Sequence, residues 1–133
     1  MQYAMDTNII IHLLYGTNAV CKSRDNALKQ GASLIIPPFV NYEITRGFLY
    51  QAASKREKIY RKIKYLYAIG EMSTIAWEKA AEIYANLRRS GFTVGDADIL
   101  IAAFCIVNDC ILVTNNTKDF ENINNLKLVD WTN

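Results

Sequence analysis

GDADILIAAFCIVNDCILVTNN, residues 95–116, decides the fold. Its first half, residues 97–107, is apolar on every side and offers water no polar stripe, so it reads as a helix buried at the centre of the molecule. Its second half, Cys110 to Thr114, is a short apolar run of strand length that ends in polar residues. Strands buried on both faces belong to parallel sheets sandwiched by helices. Further strand-like runs fall at residues 2–5, Ser33 to Ile36, Glu71 to Ser73 and Lys127 to Val129. Between them lie helical stretches. Residues 38–53 open with Pro38, a favoured first helical residue. Residues 55–69 place Ile59, Ile63, Leu66 and Tyr67 on one stripe over a basic face. Residues 74–90 stop before Gly91. Strands alternating with helices predict a parallel α/β sheet whose reactive groups gather beyond the carboxyl ends of the strands.

The chain of 133 residues is the size of one domain, here taken as residues 1–133. Fifteen basic and 13 acidic residues give a net charge of +2, which by itself selects no partner. Cys21, Cys105 and Cys110 follow no metal-ligand spacing and read as free thiols of a reduced, cytoplasmic protein. A strand starting at residue 2 leaves no room for a signal peptide, and no apolar run reaches membrane-spanning length. No membrane partner is expected, and the sequon Asn115-Asn116-Thr117 has no role in such a compartment.

Four carboxylate positions stand out. Asp6, in MQYAMDTNI, joins an apolar strand to an apolar helix. It reads either as the cap of that helix or as a buried charge that requires a partner such as a cation. Glu43, in PPFVNYEITRGF, interrupts an apolar helical face shared with Val40, Ile44, Gly47 and Phe48. A local pair with Arg46 is worth only about 0.2–0.5 kcal/mol and leaves that stripe unexplained; Gly47, one turn on, allows a neighbour close. Asp96 follows Gly95 and suits a cap. Asp98 falls in the first turn of the buried helix, where the helix dipole offers roughly 0.3–1 kcal/mol, too little to offset burial without a cation or several donors. The fourth is the segment ILVTNNTKDF, where a buried strand ends in Thr114, Asn115 and Asn116 with Asp119 a turn later. Separately each has a bland reading. Together, hard oxygen ligands at one sheet edge with no His or Cys cluster suit Mg²⁺ or Mn²⁺ rather than zinc. Such sites activate water against a phosphodiester.

These four segments, MQYAMDTNI, PPFVNYEITRG, GDADILIAA and LVTNNTKDF, resemble in order and spacing the motif regions of PIN-domain ribonucleases, and more narrowly of VapC-type toxins. The resemblance extends to LKLVDW near the carboxyl end. It implies a three-layer α/β/α sandwich with a parallel, about five-stranded sheet, and Mg²⁺- or Mn²⁺-dependent cleavage of RNA (tRNA or rRNA among the candidates). It also implies a homodimer and neutralisation by a VapB-type antitoxin. Carried over, Asp6, Glu43 and Asp98 match the first three family acids, and Thr114 matches the threonine that helps hold the first. Many relatives place an Asp where this chain has Asn116, and Asp119 is the substitute. Asp6, Glu43, Asp98 and Asp119 are thus the expected catalytic and metal-binding acids, with Thr114, Asn116, Asn8 and Asp96 in support.

Lys55, Arg56, Lys58, Arg61, Lys62 and Lys64 lie against a single acid, Glu57, within ten residues. Beside a metal site this face holds RNA phosphates, although in an arbitrary protein it is a solvated surface. Arg88 and Arg89 extend it, and Tyr42, Tyr50, Tyr60, Tyr65 and Tyr67 are available to stack on bases or to serve as core. His12 is expected to be structural. Two further readings stay open: a PIN-like domain that binds RNA or protein without catalysis, which Asn116 favours, and a phosphatase with Asp6 as nucleophile. The second lacks the aspartate two residues on that such enzymes use, since Asn8 stands there.

Overall fold

The structure, a computed structural model, describes residues 1–52 and 54–133. In chain order it contains β1 (Gln2–Met5), α1 (Thr7–Tyr15), α2 (Asn18–Lys29), β2 (Ser33–Ile35), α3 (Pro38–Gln51), α4 (Ser54–Tyr67), α5 (Thr74–Arg89), α6 (Asp96–Val107), β3 (Ile111–Val113), α7 (Thr117–Phe120) and β4 (Lys127–Val129). Every strand pair is parallel, in the order β2-β1-β3-β4. Helices cover both faces, giving the three-layer α/β/α arrangement. The order reverses between β1 and β3, and the crevice outside the strand ends at such a reversal is where open α/β sheets bind ligands. The chain leaves β1 at Asp6 and β3 at Thr114, on the two strands that flank it.

The sheet has four strands rather than five among the described residues. The expected strand at Glu71 to Ser73 does not form. In its place a single parallel bridge joins Ile36 to Ile69, closed by the Gly70 amide donating to the Ile36 carbonyl at 2.9 Å. The ladder cannot lengthen, because Pro37 and Pro38 follow Ile36 and turn the chain into α3. Downstream, Ser73 already caps α5, its hydroxyl accepting from the Ala76 amide at 3.1 Å. Gly70 is required here, because a Cβ would sit 2.3 Å from the Phe104 ring.

α6 is the buried helix expected, with Ile99 and the run from Ile101 to Cys105 inside. Around it pack Met5, Ile9, Ile10, Val40, Leu112 and Phe120, each at most 1% exposed. α2 escaped the pattern reading because only Val20 and Ala27 of its twelve residues are buried. The helix expected over 38–53 ends at Gln51, and its last residue, Ala53, lies outside the described residues. On α4 the buried side chains are Tyr60 and Ile63. Leu66 and Ile59 of the expected stripe stay exposed, at 68% and 38%, because Tyr60 turns inward to hydrogen-bond Asn41 Oδ1 at 2.9 Å. The three cysteines are free, and no helix among the described residues is long and apolar enough to cross a membrane.

Candidate active site

Asp6 is both a cap and the buried centre of a cluster. Its amide donates to the Val113 carbonyl at 2.9 Å, tying the end of β1 to β3. Its carboxylate Oδ1 accepts from the Thr7 amide at 2.8 Å, the geometry of a helix N-cap. Oδ2 accepts from the Thr114 hydroxyl, also at 2.8 Å. Asp6 is 7% exposed and Thr114 fully buried. The partner demanded by burial is therefore a pair of hydrogen-bond donors rather than a protein cation. Burial nevertheless holds the Asp6 carboxyl above its usual range; the Thr114 and Thr7 bonds pull it down, and the charges of Glu43 and Asp119 push it up.

The Thr7 hydroxyl extends the network, donating to Glu43 Oε1 at 2.8 Å. Thr7 was not anticipated, although a hydroxyl residue directly after Asp6 was the available signal. The expected pair with Arg46 also forms, loosely, at 3.8 Å from Glu43 Oε2, while the same guanidinium sits 5.0 Å from the centre of the Tyr42 ring. Gly47 does not admit a close neighbour: nothing lies within 4 Å of where its Cβ would stand. It keeps open a groove of about 220 Å³ that Thr7, Tyr15, Glu43 and Arg56 also line.

Asp98, half-buried in the first turn of α6, has its carboxyl pushed up to about 6, by burial first and then by Asp6, Asp119 and Glu43. It has neither the cation nor the donors that its burial called for: among the described residues no ion pair reaches Asp6, Asp98 or Asp119. Asp96 is not the cap. Gly95 occupies that position with extended backbone, so Asp96 is already helical and exposed, where its side chain cannot turn back onto the free amides. Asp119 is exposed on α7 yet close enough for its charge to act on both Asp6 and Asp98. Asn116 contributes backbone: its amide donates to Thr114 Oγ1 at 3.0 Å, and its carbonyl accepts from the Asp119 amide at 3.0 Å. Asn8 is exposed on α1.

Four acids thus share one electrostatic field at the sheet reversal. Among the described residues no three acidic, histidine or cysteine side chains stand close enough to enclose a metal ion unaided. That suits a hard cation that keeps several waters and takes one or two carboxylates, as Mg²⁺ does, rather than an all-protein cage. Uncompensated negative charge and oxygen-only donors fit such an ion.

On the basic helix, Arg56 alone of the six cations reaches the groove beside Glu43, its guanidinium 4.1 Å from the centre of the Tyr15 ring. Arg61 is paired with Glu57 at 2.6 Å, and Lys64 lies over the Tyr60 ring. Lys55, Lys58 and Lys62 are exposed. Arg88 and Arg89 end α5, which packs chiefly on α6, whereas α4 packs on α1 and β2. Tyr60 is core, Tyr67 half-buried, and Tyr42, Tyr50 and Tyr65 exposed. His12 is structural, with Nδ1 3.0 Å from Thr17 Oγ1.

The profile of the PIN domain family matches residues 3–126. Ribonuclease VapC1 of Haemophilus influenzae is 28% identical over 99% of both chains. The tRNA(fMet)-specific endonuclease VapC of Shigella flexneri is 29% identical, again over 99% of both. Among solved structures, VapBC2 from Rickettsia felis, bound to a DNA fragment from its promoter, superposes with a TM-score of 0.85 and 27% identity, covering 98% of this chain and 99% of that one.

Proposed function

This chain belongs to the PIN domain family, and we propose that it is a divalent-metal-dependent endoribonuclease, the toxin of a toxin–antitoxin pair. The observation that carries this reading is Asp6, a buried carboxylate clamped by Thr114 and Thr7 within the field of a half-buried Asp98, with no basic side chain paired to either among the described residues. Clustered ionised acids cost stability, and a cation bound from outside the chain would offset that cost.

Asp6, Asp98 and Glu43 would hold the metal, one or two of them directly and the rest through its bound waters, with Asp119 adding charge at the rim. Bound Mg²⁺ or Mn²⁺ supplies Lewis acidity at the scissile phosphate and makes water acidic enough to act as a nucleophile. The chain's own part is positioning. Thr114 fixes one oxygen of Asp6 and the Thr7 amide the other, so the carboxylate cannot rotate. The Thr7 hydroxyl holds Glu43 at a set distance from Asp6. Arg56, its guanidinium over the Tyr15 ring, would grip a substrate phosphate in the groove it shares with Glu43, and the exposed lysines of α4 would add attraction without sequence preference.

The relatives are named as ribonucleases, one of them specific for tRNA(fMet), and the Rickettsia felis structure is of a VapBC pair. By analogy the substrate is RNA, in the cytoplasm, and the inhibitor a VapB-type antitoxin; a homodimer is the expected state. A non-catalytic, RNA- or protein-binding PIN domain is the second reading, favoured by Asn116 where many relatives carry an acid. Purified protein decides between them. It should cut RNA internally with Mg²⁺ or Mn²⁺, stop with EDTA, and lose cleavage in Asp6→Asn. Cleavage that survives EDTA, or that persists in Asp6→Asn, overturns the proposal.

A further inference from the structure

Phe92 stands between two clefts, held in place rather than buried. At the end of α5, Gly91 adopts a left-handed backbone (φ 84°), and the Phe92 amide donates back to the Leu87 carbonyl at 2.9 Å. Helix stops of this kind usually tuck the next apolar side chain onto the last turn. Here Leu87 is buried, yet Phe92 remains 42% exposed, so a fixed backbone presents a half-bare ring. On one side lies a cleft of about 320 Å³ that Asp98, Asp119 and Lys118 line. On the other, between α5 and residues 121–125, is a cleft of about 370 Å³ whose wall holds Asn86, Asn122, Asn124 and Asn125 beside Glu121 and a Lys79–Glu82 ion pair. Phe92 and Asn122 line both. Acids and Lys118 on one side and several amides on the other therefore adjoin the same aromatic ring.

We propose that this surface is a track for single-stranded RNA, in which Phe92 stacks on a base next to the scissile phosphate and the asparagine amides meet the base beyond it. The inference rests on the nuclease reading of the acids. Sequence-specific RNA recognition needs unstacked bases laid on aromatic or guanidinium planes, and an aromatic platform accepts any base. Amides both donate and accept, so they can pair with base edges. Lys118 forms none of the ion pairs among the described residues, and it lies where a phosphate between the acids and Phe92 would run. Each cleft, at about 370 and 320 Å³, has room for a single nucleotide unit, at the low end of roughly 300–1,000 Å³ for small-ligand sites. A substrate on this track presents an unstacked base beside the cut.

The test uses a short single-stranded RNA carrying 5-iodouridine, bound in EDTA and irradiated, with the crosslinked peptide identified by mass spectrometry. Crosslinking should fall on Phe92 or on residues 118–125. Phe92→Ala should weaken binding roughly five- to hundredfold, the worth of one stacked base, with an unchanged melting temperature, and Phe92→Tyr should restore it. Wild-type affinity in Phe92→Ala, crosslinks confined to α4, or no binding of single-stranded RNA would each overturn the track. If Phe92→Ala binds and cuts RNA normally, the track fails while the nuclease reading stands. If RNA crosslinks to Phe92 but neither Mg²⁺ nor Mn²⁺ supports cleavage, the nuclease reading fails and the track stands. A displaced antitoxin with no RNA effect would assign the surface to protein instead.

Discussion

Replacing Asp98 by Asn should stabilise the metal-free protein above neutral pH and leave it unchanged in acid. The Asp98 carboxyl is raised from 3.8 to about 6, with burial the largest cause and three neighbouring acids next. At about 1.36 kcal/mol per pH unit the ionised form costs the fold roughly 3 kcal/mol. Asp98 is only half-buried, so solvent screening reduces this to roughly 1–2 kcal/mol. The sign follows from the raised value. Below about pH 4 the carboxyl is protonated in both folded and unfolded chains and costs nothing. Between about 4 and 6 the folded chain holds a proton that the unfolded chain has released, so stability falls as pH rises, and above about 6 the full penalty is present. Asn carries no charge and escapes it. For 133 residues, at roughly 2.1 cal/mol/K each, the gain at pH 8 amounts to about 4–7 °C in melting temperature. Thermal melts of both proteins in EDTA, from pH 4.5 to 8, measure it directly. With added Mg²⁺ the order should narrow or invert, since only the wild type binds the ion tightly in its folded state. A variant that melts lower at pH 8, or a difference that does not shrink toward pH 4.5, refutes the reasoning and makes Asp98 a structural residue.

Thr114→Val keeps the shape of a buried side chain but removes the donor to Asp6. A hydrogen bond to a charged group is worth roughly 1.5–3 kcal/mol, so melting should drop by about 5–10 °C and Thr114→Ser should recover most of it; an unchanged melt would mean that Asp6 is held by Thr7 alone. Asp119→Asn should raise the metal concentration for half-maximal cleavage and keep part of the saturated rate, whereas Asp6→Asn should not be rescued by metal. Identical metal titrations of Asp119→Asn and wild type would reduce Asp119 to a surface residue of α7. Replacing Lys58, Arg61 and Lys62 with Gln should flatten the salt dependence of RNA binding by roughly 0.7 log units per lost contact. Arg56→Gln, made separately, should lower kcat/KM more than any of these, because Arg56 alone shares a groove with Glu43. An unaltered salt slope would leave the α4 face a solvated surface.

What the sequence disclosed, and what it hid, divides along one physical line. Apolar runs report which segments are buried on all sides, so α6, β1 and β3 were legible, and with them the sheet reversal that brings Asp6 to Thr114. They do not report which of two adjacent positions on a half-buried helix turns inward. On α4, Ile59 and Tyr60 compete for the interior; the tyrosine wins because its hydroxyl finds Asn41, a partner set by tertiary packing. α2 hid for the converse reason: with Val20 and Ala27 alone inside, its pattern is mostly that of a surface segment. The missing fifth strand failed on termination. Pairing at Ile36 is real, and of the two prolines that end it Pro38 was read only as the start of a helix.

Asp6 shows why the cap and the metal-ligand readings need not compete. An ionised carboxylate offers about four lone-pair positions on two oxygens. Here the Thr7 amide takes one on Oδ1 and the Thr114 hydroxyl one on Oδ2, which leaves each oxygen able to accept once more. Capping therefore fixes the carboxylate without using up its capacity. The cap also places the charge at the positive end of α1, and the dipole there favours the ionised form. The same two bonds oppose the rise that burial imposes on the Asp6 carboxyl, so helix start, threonine and strand end together favour the anion that a cation can use. Asp98 has no such donors, and its carboxyl rises to about 6. The two acids thus differ in what a cation would add: for Asp6 a further ligand on an orientation already set, for Asp98 the neutralisation that the protein itself does not provide.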